Sequence, residues 1–298
     1  MATCKSPLRI TGLGIGPFFA ALALIVALAA PRIQAQSPEG GIVAIGGSVT
    51  EIIYALDQQH RLVARDTTST YPPEALALPD VGYMRALSPE GVLSVSPALI
   101  VSEEGAGPPE ALTVLAQSSI PIVEVPGDYS RDGVRRRILA VGAALDVASA
   151  AQTLAAEVDA ALARAETAAE AAAGRTPKRV LFILSTRNGR VLASGTNTAA
   201  DGIIGLSGAV NAITAFEGYK PLTDEAIIAA APDAILMMAR LGDHAAANAE
   251  LFAMPAIATT PAARSQTVIR IDGRLLLGFG PRTAEAIAAL SGALYPVR

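Results

Sequence analysis

From Gly41 onward, short apolar runs alternate with longer segments of helical period. Ile42-Val-Ala-Ile45, Arg61-Leu-Val-Ala64, Ala98-Leu-Ile-Val101 and Ile122-Val-Glu-Val125 have the length of strands, and the stretches between them open helices near Val49, Ser88 and Pro109. Such alternation predicts an α/β fold with parallel, doubly wound sheet. Helix starts are marked locally. Ser48 and Glu51 have the spacing of a capping box for a helix from Val49 to about Leu56. Ser88-Pro89-Glu90 places proline at a first helical position, where its missing N–H costs nothing.

Between Asp146 and Ala173 the pattern changes to 28 residues rich in Ala, Leu, Glu and Arg, without glycine or proline. A helix of that length runs about 40 Å. It predicts a rigid connector over residues 146–174 between two Rossmann-like lobes at 40–145 and 178–298, although an ordinary surface helix has the same composition. Strand and helix alternation resumes at Arg179-Val-Leu-Phe-Ile-Leu184, and the halves echo each other. Leu87–Ile100 aligns without gaps with Leu222–Ile235 at a constant offset of 135 residues. Each segment carries a capping Ser or Thr, a proline break and a buried strand, and each puts a glutamate two residues after the cap, Glu90 and Glu225. A weaker echo links Glu51-Ile-Ile-Tyr-Ala-Leu56 with Asp201-Gly-Ile-Ile-Gly-Leu206. Two like lobes on a stiff helix imply a cleft between them.

Residues 1–35 put Lys5 and Arg9 ahead of an apolar run from Ile10 to Ala30. This predicts a secretory signal peptide cleaved near Ala35, with Ala27-Leu-Ala29 as a competing site. The alternative is an uncleaved anchor, since about 20 apolar residues span a bilayer. Removal takes away Lys5, Arg9 and Arg32 and no acid, so the formal charge moves from -4 to -7. Nucleic acid is a poor partner for such a chain. Cys4 precedes the apolar run, so the mature chain needs no disulfide, and its 263 residues favour two lobes, each with a core.

Catalytic constellations are thin. His60 and His244 fall in no zinc-type spacing, Ser48 lacks the nucleophile-elbow pattern, and Gly46-Gly47 lacks the lysine of a phosphate loop. One polar loop stands out: Asp66-Thr-Thr-Ser-Thr-Tyr71-Pro-Pro73. Locally, Tyr71 reads more strongly as a turn residue packed on proline. A phenol with an ordinary pKa near 10 ligates only when something favours its anion, as ferric iron and a guanidinium both do, and tyrosinate is an axial haem ligand elsewhere. Arg85 and Arg240 are candidate guanidinium partners. Arg240 is the better one, because it follows the strand Ile235–Met238 and ligand loops gather at the carboxyl ends of parallel strands.

Taken as a set, Ile45-Gly-Gly-Ser-Val-Thr-Glu-Ile-Ile-Tyr-Ala-Leu56, Asp66–Pro72 and Leu78–Ser94 closely resemble the periplasmic haem-binding proteins of ABC haem importers. The likeness continues through Ala193–Asp201, Asn211, Glu217–Leu222 and Leu276-Leu-Gly-Phe-Gly-Pro-Arg-Thr283, and so spans about residues 41–298. The resemblance implies two lobes with parallel sheets joined by a long helix, in a fold shared with cobalamin and siderophore binders. It implies that ferric haem b is the transported ligand and Tyr71 its iron ligand. Arg240 is then the second-lobe arginine beside the tyrosine. Where some members supply a histidine, the loop Ser185-Thr-Arg-Asn-Gly-Arg190 has none, which leaves Tyr71 as this chain's sole ligand on the iron. Arg187 and Arg190 are propionate partners by charge. Glu90 and Glu225 match the glutamates that dock such proteins onto the permease dimer of an ABC importer and its ATPase, with an outer-membrane haem receptor upstream. Three rivals remain: the same fold carrying a corrinoid or ferric siderophore, a periplasmic metal-dependent hydrolase, and a docking lobe without cargo.

Overall fold

The computed structural model describes residues 41–187, 189–239 and 244–296, without the side chains of Arg187 and of residues 244–246. The expected signal segment and Arg240 lie outside the described residues. The first lobe alternates β1 (Ile42–Ile45), α1 (Gly47–Ala55), β2 (Leu62–Arg65), α2 (Pro89–Leu93), β3 (Leu99–Glu103), α3 (Pro109–Ala116), β4 (Ile122–Val125) and α4 (Arg131–Ala144). Its strands are all parallel, in the order β2-β1-β3-β4. All of β1 is buried, as a parallel strand covered on both faces requires.

Next comes α5 (Ala148–Ala173), whose 26 residues run about 39 Å. It packs along α4 and, later in the chain, along α12. The second lobe follows with β5 (Arg179–Arg187), β6 (Arg190–Ser194), α6 (Ala199–Leu206), β7 (Val210–Asn211), β8 (Tyr219–Pro221), α7 (Asp224–Ala230), β9 (Ala234–Met238), α8 (His244–Phe252), α9 (Pro255–Ala258), α10 (Pro261–Arg264), β10 (Val268–Ile271), α11 (Gly273–Leu277) and α12 (Thr283–Leu294). Its sheet runs β10-β9-β5-β6-β8, with β7 beside β5.

This second sheet is mixed, not parallel throughout. β6 pairs antiparallel with both β5 and β8. The reason is local: Ser185–Arg187 and Arg190, expected as parts of a loop, are strand, and Arg187 pairs with Arg190 with only two residues between them in the chain. A connection that short cannot return a parallel strand. The capping box also needs correction. α1 starts at Gly47 with Gly46 as its N-cap and no side-chain cap; Ser48 and Glu51 have tertiary partners instead. Gly46 has φ 109°, and a Cβ there would lie 2.6 Å from Glu103 Oε2, so both backbone and space call for glycine.

The internal repeat is visible as structure. Ser88 Oγ accepts from the Gly91 N–H at the start of α2, and Thr223 Oγ1 accepts from the Ala226 N–H at the start of α7; each helix leads into a strand of its lobe's sheet. The largest apolar cluster does not stop at the lobe boundary. It joins Ile52 of α1, Ile138 of α4 and Leu162 of α5 to Phe182 of β5, Ile203 of α6 and Leu290 of α12. Each such side chain contributes roughly 1.5–3 kcal/mol of burial. The core is therefore continuous across the lobe boundary.

Candidate functional site

The loop that carries Tyr71 is staked from beneath by one buried carboxylate. Asp66, at the end of β2, is fully buried. Its Oδ1 accepts from the Gly46 N–H at 3.0 Å and from Ser69 Oγ at 2.6 Å, and its Oδ2 accepts from the Thr68 N–H at 2.9 Å and Thr68 Oγ1 at 2.8 Å. Thr50 of α1 donates to Ser69 Oγ at 2.7 Å. The buried Arg65 continues the frame through Asp80 Oδ2 at 2.9 Å and the carbonyls of Asp66 and Ala75. These bonds fix residues 66–69 onto α1 and β1 and leave Tyr71 at the rim, 42% exposed.

A cation from the second lobe covers that tyrosine. The guanidinium carbon of Arg282, at the N-cap of α12, lies 3.4 Å from the centroid of the Tyr71 ring, well inside cation–π range. The same guanidinium forms a two-point pair with Glu51 of α1, Nε donating to Oε2 at 3.1 Å and Nη2 donating to Oε1. Burial pushes the Glu51 carboxyl above the usual carboxylate range, against the lowering by Arg282. The backbone is close here too: a Cβ on Gly280 would lie 3.2 Å from Glu51 Oε2 and 3.5 Å from Ser48 Cα.

Deeper along the same seam, Arg137 of α4 is fully buried. It donates to the carbonyls of Gly278 at 2.8 Å and Phe279 at 3.0 Å in the second lobe, and to Pro126 O and Ser48 Oγ in the first. Glu103 lies 3.5 Å away and accepts from Ser48 Oγ at 3.0 Å; burial pushes its carboxyl up, with Arg137 acting against that. Tyr129 and Phe279 close the seam edge to face, with centroids 5.3 Å apart.

Beside the seam opens a cavity of about 580 Å³, lined from the first lobe by Glu104, Gly105 and Gly127–Tyr129 and from the second by Asn197, Thr198, Asp201 and Gly202. Its size suits a small-molecule site, for which roughly 300–1,000 Å³ is usual. Arg85 is exposed on the loop after Tyr71. Arg190 is exposed at the β5–β6 hairpin beside the backbone of Arg187. Glu90 and Glu225 are exposed in the first turns of α2 and α7. Among the described residues no group of three or more His, Cys, Asp or Glu could hold a metal ion.

The structure thus brings Tyr71 together with Arg282 and Glu51, neither of which stood out as a site residue in the sequence. Arg282 was legible only as the last arginine of Gly-Phe-Gly-Pro-Arg282, and it meets Glu51 across 231 residues.

Two α/β lobes facing each other across a cleft, with an exposed phenol and a guanidinium from the opposite lobe at its rim, define a protein that captures a small ligand. The chain belongs to the periplasmic binding protein family, whose pattern matches residues 42–275. It is similar to the solved structure of the periplasmic heme-binding protein BhuT in complex with two hemes, at 39% identity and a TM-score of 0.80, covering 86% of this chain and 98% of that one. It is 26% identical over 257 residues to the uncharacterized ABC transporter substrate-binding lipoprotein YvrC of Bacillus subtilis strain 168, covering 86% of this chain and 80% of that protein. A shorter match, 34% over 82 residues, relates 28% of the chain to 30% of the vitamin B12-binding protein of Pectobacterium carotovorum. The chain is therefore a periplasmic binding protein, and these relatives are named as binding proteins rather than enzymes. Among the described residues no helix is long and apolar enough to cross a membrane.

Proposed function

We propose that this chain is the periplasmic haem carrier of an ABC importer, exported by the signal segment at 1–35. It holds ferric haem b between its lobes with Tyr71 as its only ligand on the iron. The observation that carries this reading is the half-exposed Tyr71 on a loop staked by Asp66, with the Arg282 guanidinium 3.4 Å from its ring centroid. On binding, the phenol releases its proton to solvent and its oxygen joins the iron; the adjacent cation offsets the charge that the oxygen then carries. Arg187 and Arg190 supply positive charge for the propionates, and Arg85 and Arg240 are further guanidinium partners for the tyrosinate. Glu90 and Glu225, one on each lobe and each exposed, dock the loaded protein onto the permease dimer, and an outer-membrane haem receptor supplies the cargo. The likeness to BhuT supports haem, and the shorter match to a vitamin B12-binding protein favours a corrinoid as the second reading.

Titration with hemin tests this. The expected result is a high-spin ferric spectrum that saturates, with affinity falling on the order of 100-fold in Tyr71→Ala, the upper end of what loss of a metal-site residue costs. Cyanocobalamin, titrated alongside, should leave the protein unchanged. An unaltered spectrum and affinity in Tyr71→Ala sinks the ligand assignment, and tight cyanocobalamin binding without hemin binding transfers the function to the corrinoid reading.

A further inference from the structure

Arg282 is held before it can hold anything else. Glu51 projects from α1 of the first lobe with its side chain 10% exposed, and it engages the Arg282 fork at two points, the Arg282 side chain being 19% exposed. A planar fork pinned on one edge by a carboxylate has its plane fixed. The carbon at the centre of that fork lies 3.4 Å from the Tyr71 ring centroid. Gly280, two residues earlier, lies against Ser48 and Glu51, where an added Cβ would come within 3.2 Å of Glu51 Oε2. Other groups near the carboxylate are Glu285 and Asp272, both acidic and both acting on Glu51 by charge, so Arg282 is the cation that compensates it.

From this geometry we infer that Glu51 is a positioning residue for the Tyr71–iron bond: reaching across the lobe boundary, it holds Arg282 against the Tyr71 ring and so fixes the phenol in its ligating orientation. The inference rests on the reading of Tyr71 as the iron ligand. It differs from plain lobe anchoring, because anchoring would serve any porphyrin equally, whereas positioning of the phenol matters only to a ligand that bonds to it.

The test compares hemin with metal-free protoporphyrin IX, which has no iron for Tyr71. In Glu51→Gln, hemin should dissociate on the order of 10-fold faster, the usual scale for a residue that orients a metal ligand, while protoporphyrin dissociation stays as in the parent. Arg282→Gln should show the same selectivity and serves as the second variant should Glu51→Gln fold poorly. In a Tyr71→Phe background, which keeps the ring but removes the oxygen, Glu51→Gln should add nothing further. Equal acceleration for both porphyrins, or an undiminished effect in the Tyr71→Phe background, overturns the inference and leaves Glu51 a lobe anchor. Should Tyr71→Phe alone leave hemin binding intact, the ligand reading itself falls, an outcome distinct from the other two.

Discussion

Two arginines cross the lobe boundary in opposite directions, and they are built for different work. Arg137 leaves the first lobe, is fully buried, and donates to carbonyls of Gly278 and Phe279. Arg282 leaves the second lobe, stays at the rim, and has side chains for partners, Glu51 and Tyr71. Backbone carbonyls inside a core are fixed acceptors, so the Arg137 contact is a permanent joint. Side chains at the rim are within reach of an arriving ligand, so the Arg282 contact is suited to sensing one. The stiffness of the two-lobe frame and its chemistry are thus carried by different residues of one short loop, Gly278–Arg282.

The largest effect that separates them is on stability. Arg137→Ala removes the partner of a buried carboxylate and four hydrogen bonds of its guanidinium, which predicts a loss of about 3 kcal/mol or more in urea denaturation. The loss should depend on pH with a definite sign. Burial already raises the Glu103 carboxyl in the folded state, and without its cation the carboxyl rises further. A raised carboxyl binds protons in the folded state that the unfolded chain, near 4.3, has lost, so stability falls as pH rises through that window. The deficit of Arg137→Ala should therefore be smaller at pH 5 than at pH 7. A deficit under about 0.5 kcal/mol, the range of an ordinary surface change, erases the distinction between joint and sensor.

Next in size is the support of Tyr71. Asp66→Ala removes the acceptor of four hydrogen bonds, and it leaves the Gly46 and Thr68 N–H groups inside the protein without that partner. A loss of about 2–3 kcal/mol follows from the cost of unmade bonds to a charged group. Hydrogen exchange at Gly46 and Thr68 should speed up, and hemin should bind more weakly, because the loop that aims the phenol is loosened. Full affinity in a loosened loop would show that Arg282 alone orients Tyr71.

How far all this could be read from the chain follows from the range of each signal. The strands of the first sheet, the capped helices at Ser88 and Thr223 and their offset repeat rest on neighbours within a few residues, so periodicity found them. The capping box at Ser48 and Glu51 failed for the same reason: its spacing is local, but Glu103 and Arg282 compete for those side chains from far along the chain. Asn188-Gly189 between apolar runs was a hairpin signal in its own right, and reading it would have exposed the antiparallel β5–β6 pair. No spacing could bring Glu51 to Arg282, because their contact exists only once both lobes have folded onto the shared core.

The smallest effect concerns how the second lobe presents its half of the seam. Asp272 caps α11, accepting from the N–H groups of Arg274 at 2.9 Å and Leu275 at 3.2 Å, and Arg274 Nη2 donates to its other oxygen at 3.0 Å. That short helix delivers Gly278–Arg282 to the boundary. Asp272→Ala should cost about 1 kcal/mol at pH 7, the usual worth of such a cap. The Arg274 side chain, helped by the two backbone N–H groups, holds the Asp272 carboxyl below its ordinary value despite partial burial. Its contribution is then complete above the unfolded value near 3.9 and is lost as pH falls through the lower folded value. Parent and variant should accordingly differ in urea midpoint at pH 7 and converge as the solution is acidified below that window. If the gap stays constant down to pH 2, the helix start is held by something other than the ionised carboxylate, and the delivery of Arg282 to the rim rests on the packing of Leu276 and Phe279 into the core instead.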